Sequence, residues 1–218
     1  MTVQTSKIGL RASARFDHVI FPLDIATFLH VAAACGFTPA AELPPPPLTG
    51  PNVYLGGGGT LARKGTLLVD LNTERQFFGV TGLDPAEVWS ELGSLIEGAK
   101  GVLDPAKIMF FELQARFRIR PATDPVAAMR ESGKGLNLVA RVSQVFEQPM
   151  ALFSAQLSSS GPDTPDYFEL WMQPDAPNQS LGVSVVYRNP SPQAFQKFVL
   201  ELEERISQVA RLEFAVAS

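Results

Sequence analysis

Ile108-Met-Phe-Phe-Glu-Leu-Gln-Ala-Arg-Phe-Arg-Ile-Arg120 is the stretch whose reading decides the fold. Met109, Phe111, Leu113, Ala115, Phe117 and Ile119 fall on one side of an extended chain. Glu112, Gln114, Arg116, Arg118 and Arg120 fall on the other. That alternation has the period of two that defines a strand with one buried face. Asp104-Pro105 breaks the chain before it, and Asp124-Pro125 opens a helix after it, running through Met129. Leu136, Leu138, Val139 and Val142 continue the apolar pattern beyond an expected break at Gly133 or Gly135. Met150–Leu157, Tyr167–Gln173 and Leu181–Arg188 read as three further strands separated by Ser, Gly, Pro and Asp turns. Ser191-Pro192 caps a last helix with a stripe of Phe195, Phe198, Val199, Leu202, Ile206 and Val209.

Working back toward the N-terminus, the same order recurs. Arg11–Phe21 alternates, with Ala12, Ala14, Phe16, His18 and Ile20 on one face and Arg11, Ser13, Arg15 and Asp17 on the other. Pro22 ends it, and Ile25, Phe28, Leu29 and Ala32 recur at helical spacing up to Gly36. Pro44–Pro47 forms a stiff spacer incompatible with helix or central strand. Asn52–Leu55, Thr66–Asn72 and Gln76–Val80 follow as strands. Asp84-Pro85-Ala86-Glu87 is a capping box with proline at the first helical position, ahead of a Val88, Leu92, Leu95, Ile96 stripe. The expected fold is therefore α+β: two tandem strand–helix–three-strand–helix repeats, residues 1–103 and 104–218, forming an antiparallel sheet with helices packed on one face. In topology alone, this order resembles the duplicated α+β architectures of sliding-clamp domains and of two-repeat effector-binding domains.

Composition narrows the function classes. The chain has 218 residues, 45% of them hydrophobic and 18% charged, enough for a substantial core. A net charge of −4 gives no bulk attraction to nucleic acid or anionic lipid. Cys35 is the single cysteine, so no internal disulfide forms. Met1–Leu10 lacks a signal-peptide pattern, and no apolar run approaches the ~18 residues of a transmembrane helix. A cytoplasmic protein without membrane contact is expected.

Three features could carry binding. Gly57 and Gly58 lie in the Gly56–Gly59 run, ahead of Arg63 and Lys64, where exposed N–H groups and two cations could cradle an anion. A bend or bulge is the ordinary alternative, because no strand-to-helix phosphate loop follows. Arg116, Arg118 and Arg120 recur every ~7 Å along one strand face. Arg11 and Arg15 extend that surface if the halves are related. Acids such as Glu112 and Asp17 could instead pair with these arginines across the sheet. Tyr167, Glu169 and Trp171 share a face, where a carboxylate between two rings could hold an organic cation in a groove between the repeats. The alternative is a partly exposed aromatic ladder.

No motif supports catalysis, a cofactor or a metal. The two histidines, His18 and His30, lack partners at ligand spacing, and no Gly-x-Ser-x-Gly elbow exists. Cys35 reads as a small buried hydrophobe, and Asp70 and Glu112 as isolated carboxylates. The leading expectation is a non-enzymatic module acting through a protein partner or self-association. A small-molecule sensor and an Arg-strand phosphate or nucleic-acid binder stand behind it.

Overall fold

A computed structural model of the chain describes residues 4–17, 25–40, 59–72, 76–101 and 103–214. In chain order the elements are β1 (Gln4–Phe16), α1 (Ile25–Ala34), β2 (Thr38–Pro39), β3 (Gly59–Lys64), β4 (Leu67–Asn72), β5 (Phe77–Gly82) and α2 (Pro85–Gly98). There follow β6 (Ile108–Arg120), α3 (Pro125–Ser132), α4 (Asn137–Phe146), β7 (Ala155–Ser158), β8 (Tyr167–Asp175), β9 (Ser180–Asn189) and α5 (Pro192–Phe214). The nine strands form one antiparallel sheet in the order β2-β3-β4-β5-β1-β6-β9-β8-β7.

The two 13-residue strands, β1 and β6, lie side by side at its middle, with Ala12 opposite Leu113. Outward from them the order is β5, β4, β3 on one side and β9, β8, β7 on the other. The pairs β3–β4, β4–β5, β7–β8 and β8–β9 join strands consecutive in sequence with short connections, as antiparallel pairing allows.

Period-two patterning builds the core. Leu10, Ala12, Ala14 and Phe16 of β1 are buried together with Phe111, Leu113, Ala115, Phe117 and Ile119 of β6. Met109 was expected on that face but is exposed, because it sits where β6 emerges from the preceding turn. Val88, Leu92 and Leu95 of α2, and Phe195, Val199, Leu202 and Ile206 of α5, are buried against the sheet at the helical spacing read from the sequence. Phe78 stacks on Phe16 and meets Phe28 edge-on, with centroids 5.9 and 5.7 Å apart. Phe195 sits among Trp89, Phe111 and Tyr187 at 5.1–5.9 Å. Each such fully buried ring contributes about 1.5–3 kcal/mol through burial.

The caps explain where the helices begin. Asp84 Oδ1 accepts from the N–H groups of Ala86 and Glu87, and Asp124 Oδ1 from those of Val126 and Ala127. These bonds satisfy donors that the first turn leaves unpaired. They also hold the Asp84 carboxyl below its usual range.

Several boundaries differ from expectation. β1 begins at Gln4 rather than Arg11 and ends at Phe16. Its polar first half alternates weakly, and it is held by pairing Gln4–Leu10 against Arg120–Ala115. The stretch Thr60–Asn72 contains two strands turning at Gly65, whose φ of 58° suits glycine. β7 starts only at Ala155; Met150, expected as its first residue, instead donates its N–H to Ser143 Oγ at 3.0 Å. Pro44–Pro47, Asn52–Leu55, His18 and Ile20 lie outside the described residues.

Candidate functional site

The alternate residues of the central strands line the second face of the sheet. Register brings Arg11 and Arg15 of β1 beside Gln114 and Phe110 of β6, and Arg188 of β9 beside Glu112. A cup of about 200 Å³ is walled by Arg11, Ser13, Arg15, Phe77, Glu112 and Arg188. A trough of about 440 Å³ adjoins it, sharing Arg11 and Gln114 and reaching Arg116 and Trp171.

Most of these arginines are already engaged. Arg11 forks onto Asp70 (Nε–Oδ1 3.1 Å, Nη2–Oδ2 2.5 Å) and lies over the Phe77 ring at 4.2 Å. Arg188 donates to Glu112 at 2.6 Å and to the Pro162 carbonyl, between the rings of Phe110 and Tyr167. Arg118 reaches Asp175 at 3.5 Å. Asp70 is mostly buried, and that burial pushes its carboxyl above the ordinary range in spite of Arg11. Cross-sheet pairing therefore does occur, but Glu112 takes Arg188, an arginine that sequence reasoning did not single out. Arg188 could have been found from its alternation with Val186 and Ser184 along β9. Asp17 stands 3.8 Å from Lys107. Arg15, Arg116 and Arg120 have no carboxylate partner among the described residues.

The other expected site residues are dispersed. Arg63 is exposed on β3, three strands from β1. Lys64 turns toward the helices, donating to Glu91 (2.6 Å) and to the Cys35 carbonyl (3.2 Å). Gly57 and Gly58 lie outside the described residues. Tyr167, Glu169 and Trp171 share one face of β8, which β6 and β9 separate from β1. Of the three, Trp171 lines the trough. Glu169 Oε2 already accepts from the Tyr167 hydroxyl (2.5 Å) and from Gln156 Nε2 (3.1 Å). The bond to Glu169 is the main cause that holds the Tyr167 hydroxyl above its usual pKa.

A further opening, about 830 Å³, lies between α1 and α2 beside His30, Cys35 and Glu97. His30 is exposed there. Cys35 is only half-buried; its thiol donates to the Ser94 carbonyl at 3.6 Å, and desolvation pushes its pKa up, which makes it a poor nucleophile. Among the described residues, no three His, Cys, Asp or Glu side chains stand together as a metal site. No described helix is long and apolar enough to cross a membrane.

A second surface lies at the β7 end. α4 buries none of its residues. Leu138, Val142, Val145 and Phe146 form a stripe at i, i+4, i+7 and i+8, three of them mostly exposed and Val142 half-buried. Leu136 before α4, Met150 and Phe153 after it and Leu157 on β7 are exposed as well. No other described strand pairs with the outer side of β7.

No protein-family model matches the chain, and none of the curated proteins matches its sequence.

Proposed function

We propose that the chain is a non-enzymatic assembly module acting through protein–protein contacts, with a second copy of itself as the partner seated on α4 and β7. The observation that carries this reading is an edge that carries neither charge nor proline. Ala151–Ser160 contains neither a charged residue nor a proline, although it includes a terminal strand of the sheet. Such an edge presents free N–H and C=O groups ready to pair with another strand. Ala155-Gln-Leu-Ser158 can oppose its own copy in antiparallel register without bringing like charges together.

The adjoining area fits the same partner. Leu136, Leu138, Val145, Phe146, Met150, Phe153 and Leu157 are 43–76% exposed. At roughly 150–200 Å² per side chain of this size, they leave on the order of 700 Å² of apolar surface in water. A specific interface buries about 800 Å² per partner. The mirrored strand order about β1 and β6 supports a companion proposal, that residues 1–103 and 104–218 are related half-domains.

Size-exclusion chromatography with light scattering tests the assembly. The expected result is a concentration-dependent dimer with a Kd on the order of micromolar or tighter. Leu157→Lys combined with Phe146→Asp should yield a folded monomer. A parent protein that stays monomeric at high concentration rejects the self-pairing.

A further inference from the structure

The trough on the arginine face has a particular cross-section. Ser184 of β9 lies opposite Arg116 on one side and opposite Trp171 on the other. Gly9 of β1 pairs with Arg116 from the far side. Small residues therefore floor the trough, while Ile8, Trp171 and Val186 wall it. With strands about 4.8 Å apart, the Arg116 and Trp171 backbones stand roughly 10 Å from one another. One flat ring stacked at about 3.5–4 Å from the indole fits above Ser184, whereas two do not.

The charge of the ligand follows from which groups are spoken for. Arg11, Arg118 and Arg188 each hold a carboxylate of this chain. Arg116, exposed in the trough, holds none among the described residues. Glu169, the acid on the Trp171 strand, is taken up by Tyr167 and Gln156, so the trough offers a cation no free carboxylate there. A single free guanidinium presents one charge and a planar fork that matches a carboxylate bidentately. Trp171, 41% exposed, and Ile8, 48% exposed, add an apolar wall that water now covers.

We propose that this trough binds a planar aromatic carboxylate, with its ring against Trp171 over Ser184 and its carboxylate on Arg116. The site lies on the sheet face away from the helical core and does not depend on the self-association proposed above.

Fluorescence titration of the full chain with 1-naphthoate tests it, alongside 1-naphthalenemethanol, 1-naphthylmethylammonium, decanoate and inorganic phosphate. Naphthoate should bind saturably and at least tenfold more tightly than the alcohol, the ammonium or phosphate. Arg116→Gln should weaken it at least tenfold, and Trp171→Leu should do so when binding is followed by calorimetry. Arg205→Gln, on α5, should leave it unchanged, and thermal unfolding of all three variants should match the parent. The proposal is overturned by absence of saturable binding, by unchanged affinity in Arg116→Gln, or by equal binding of the ammonium. Tighter binding of decanoate overturns the assignment of the ring.

Discussion

The two ends of this sheet are built in opposite ways. At one end the chain adds a two-residue strand, Thr38–Pro39, whose proline has no N–H to offer a neighbour. The strand beneath it carries Arg63 and Lys64, and its Leu61 and Ala62 are fully buried. At the other end β7 is uncharged and proline-free, its own Leu157 and the preceding Phe153 are exposed, and the helix α4 buries none of its residues. Both end strands are short, but proline and charge are further ways of blunting an edge. Their presence at one end and absence at the other makes the bare end read as a place where something docks.

The sharpest way to break that contrast is to delete one phenylalanine on each side of the central strand pair. Phe78, fully buried between Phe16 and Phe28, should cost about 3–5 kcal/mol as Phe78→Ala in urea unfolding. Phe146→Ala should change the stability of the dilute protein by less than about 0.5 kcal/mol, since the ring is already in water. The same substitution should weaken self-association about tenfold or more in light scattering. A large stability loss in Phe146→Ala would mean that α4 is folded into its own chain, and the contrast would fall.

Two glycines on the strands flanking the central pair give a smaller effect. A Cβ at Gly82 of β5 would lie 2.5 Å from Leu67 Cδ2 and 2.8 Å from Val88 Cγ2, both in the core. Gly82→Ala should therefore cost about 1–3 kcal/mol through overpacking. At Gly182 of β9 the nearest atom would be the Gln173 carbonyl oxygen at 3.8 Å, an ordinary contact. Gly182→Ala should be neutral or stabilising by up to about 1 kcal/mol, because alanine narrows the unfolded ensemble. Thermal unfolding of the pair measures whether the β5 side is packed more tightly than the β9 side.

Most of the sheet was legible in the sequence because one-sided burial writes a period of two into strands such as β6 and β9. The α2 start was equally legible, since Asp84-Pro85 leaves few other conformations open. The first half of β1 was not: Gln4–Lys7 is polar, and its place is set by a partner strand about a hundred residues away. β2 carries no pattern in two residues. On the arginine face, alternation showed which residues share a side but not which acid each would meet. Asp70 finds Arg11 from two strands away, across β5, and Glu112 finds Arg188 rather than an arginine of its own strand. Glu169 looked free in the sequence because its bonds to Tyr167 and Gln156 depend on rotamers and on pairing with β7.

The Arg11–Asp70 pair offers the smallest and most discriminating test, because burial and attraction oppose each other there. Burial disfavours the charged carboxylate and Arg11 favours it; burial prevails, and the folded-state pKa lies above the ordinary value of about 3.9. Between those two values the folded protein holds a proton that the unfolded chain has released. The contribution of Asp70 is then fully present below the unfolded pKa and is lost as pH rises through the folded one. The stability difference between the parent and Asp70→Asn should accordingly be most favourable to the parent near pH 3 and should decline toward pH 7. Urea unfolding across that range measures the slope. A difference that instead grows with pH would show that the guanidinium outweighs the burial, and would make Arg11 a fixed half of an ion pair rather than a cation held beside a reluctant acid.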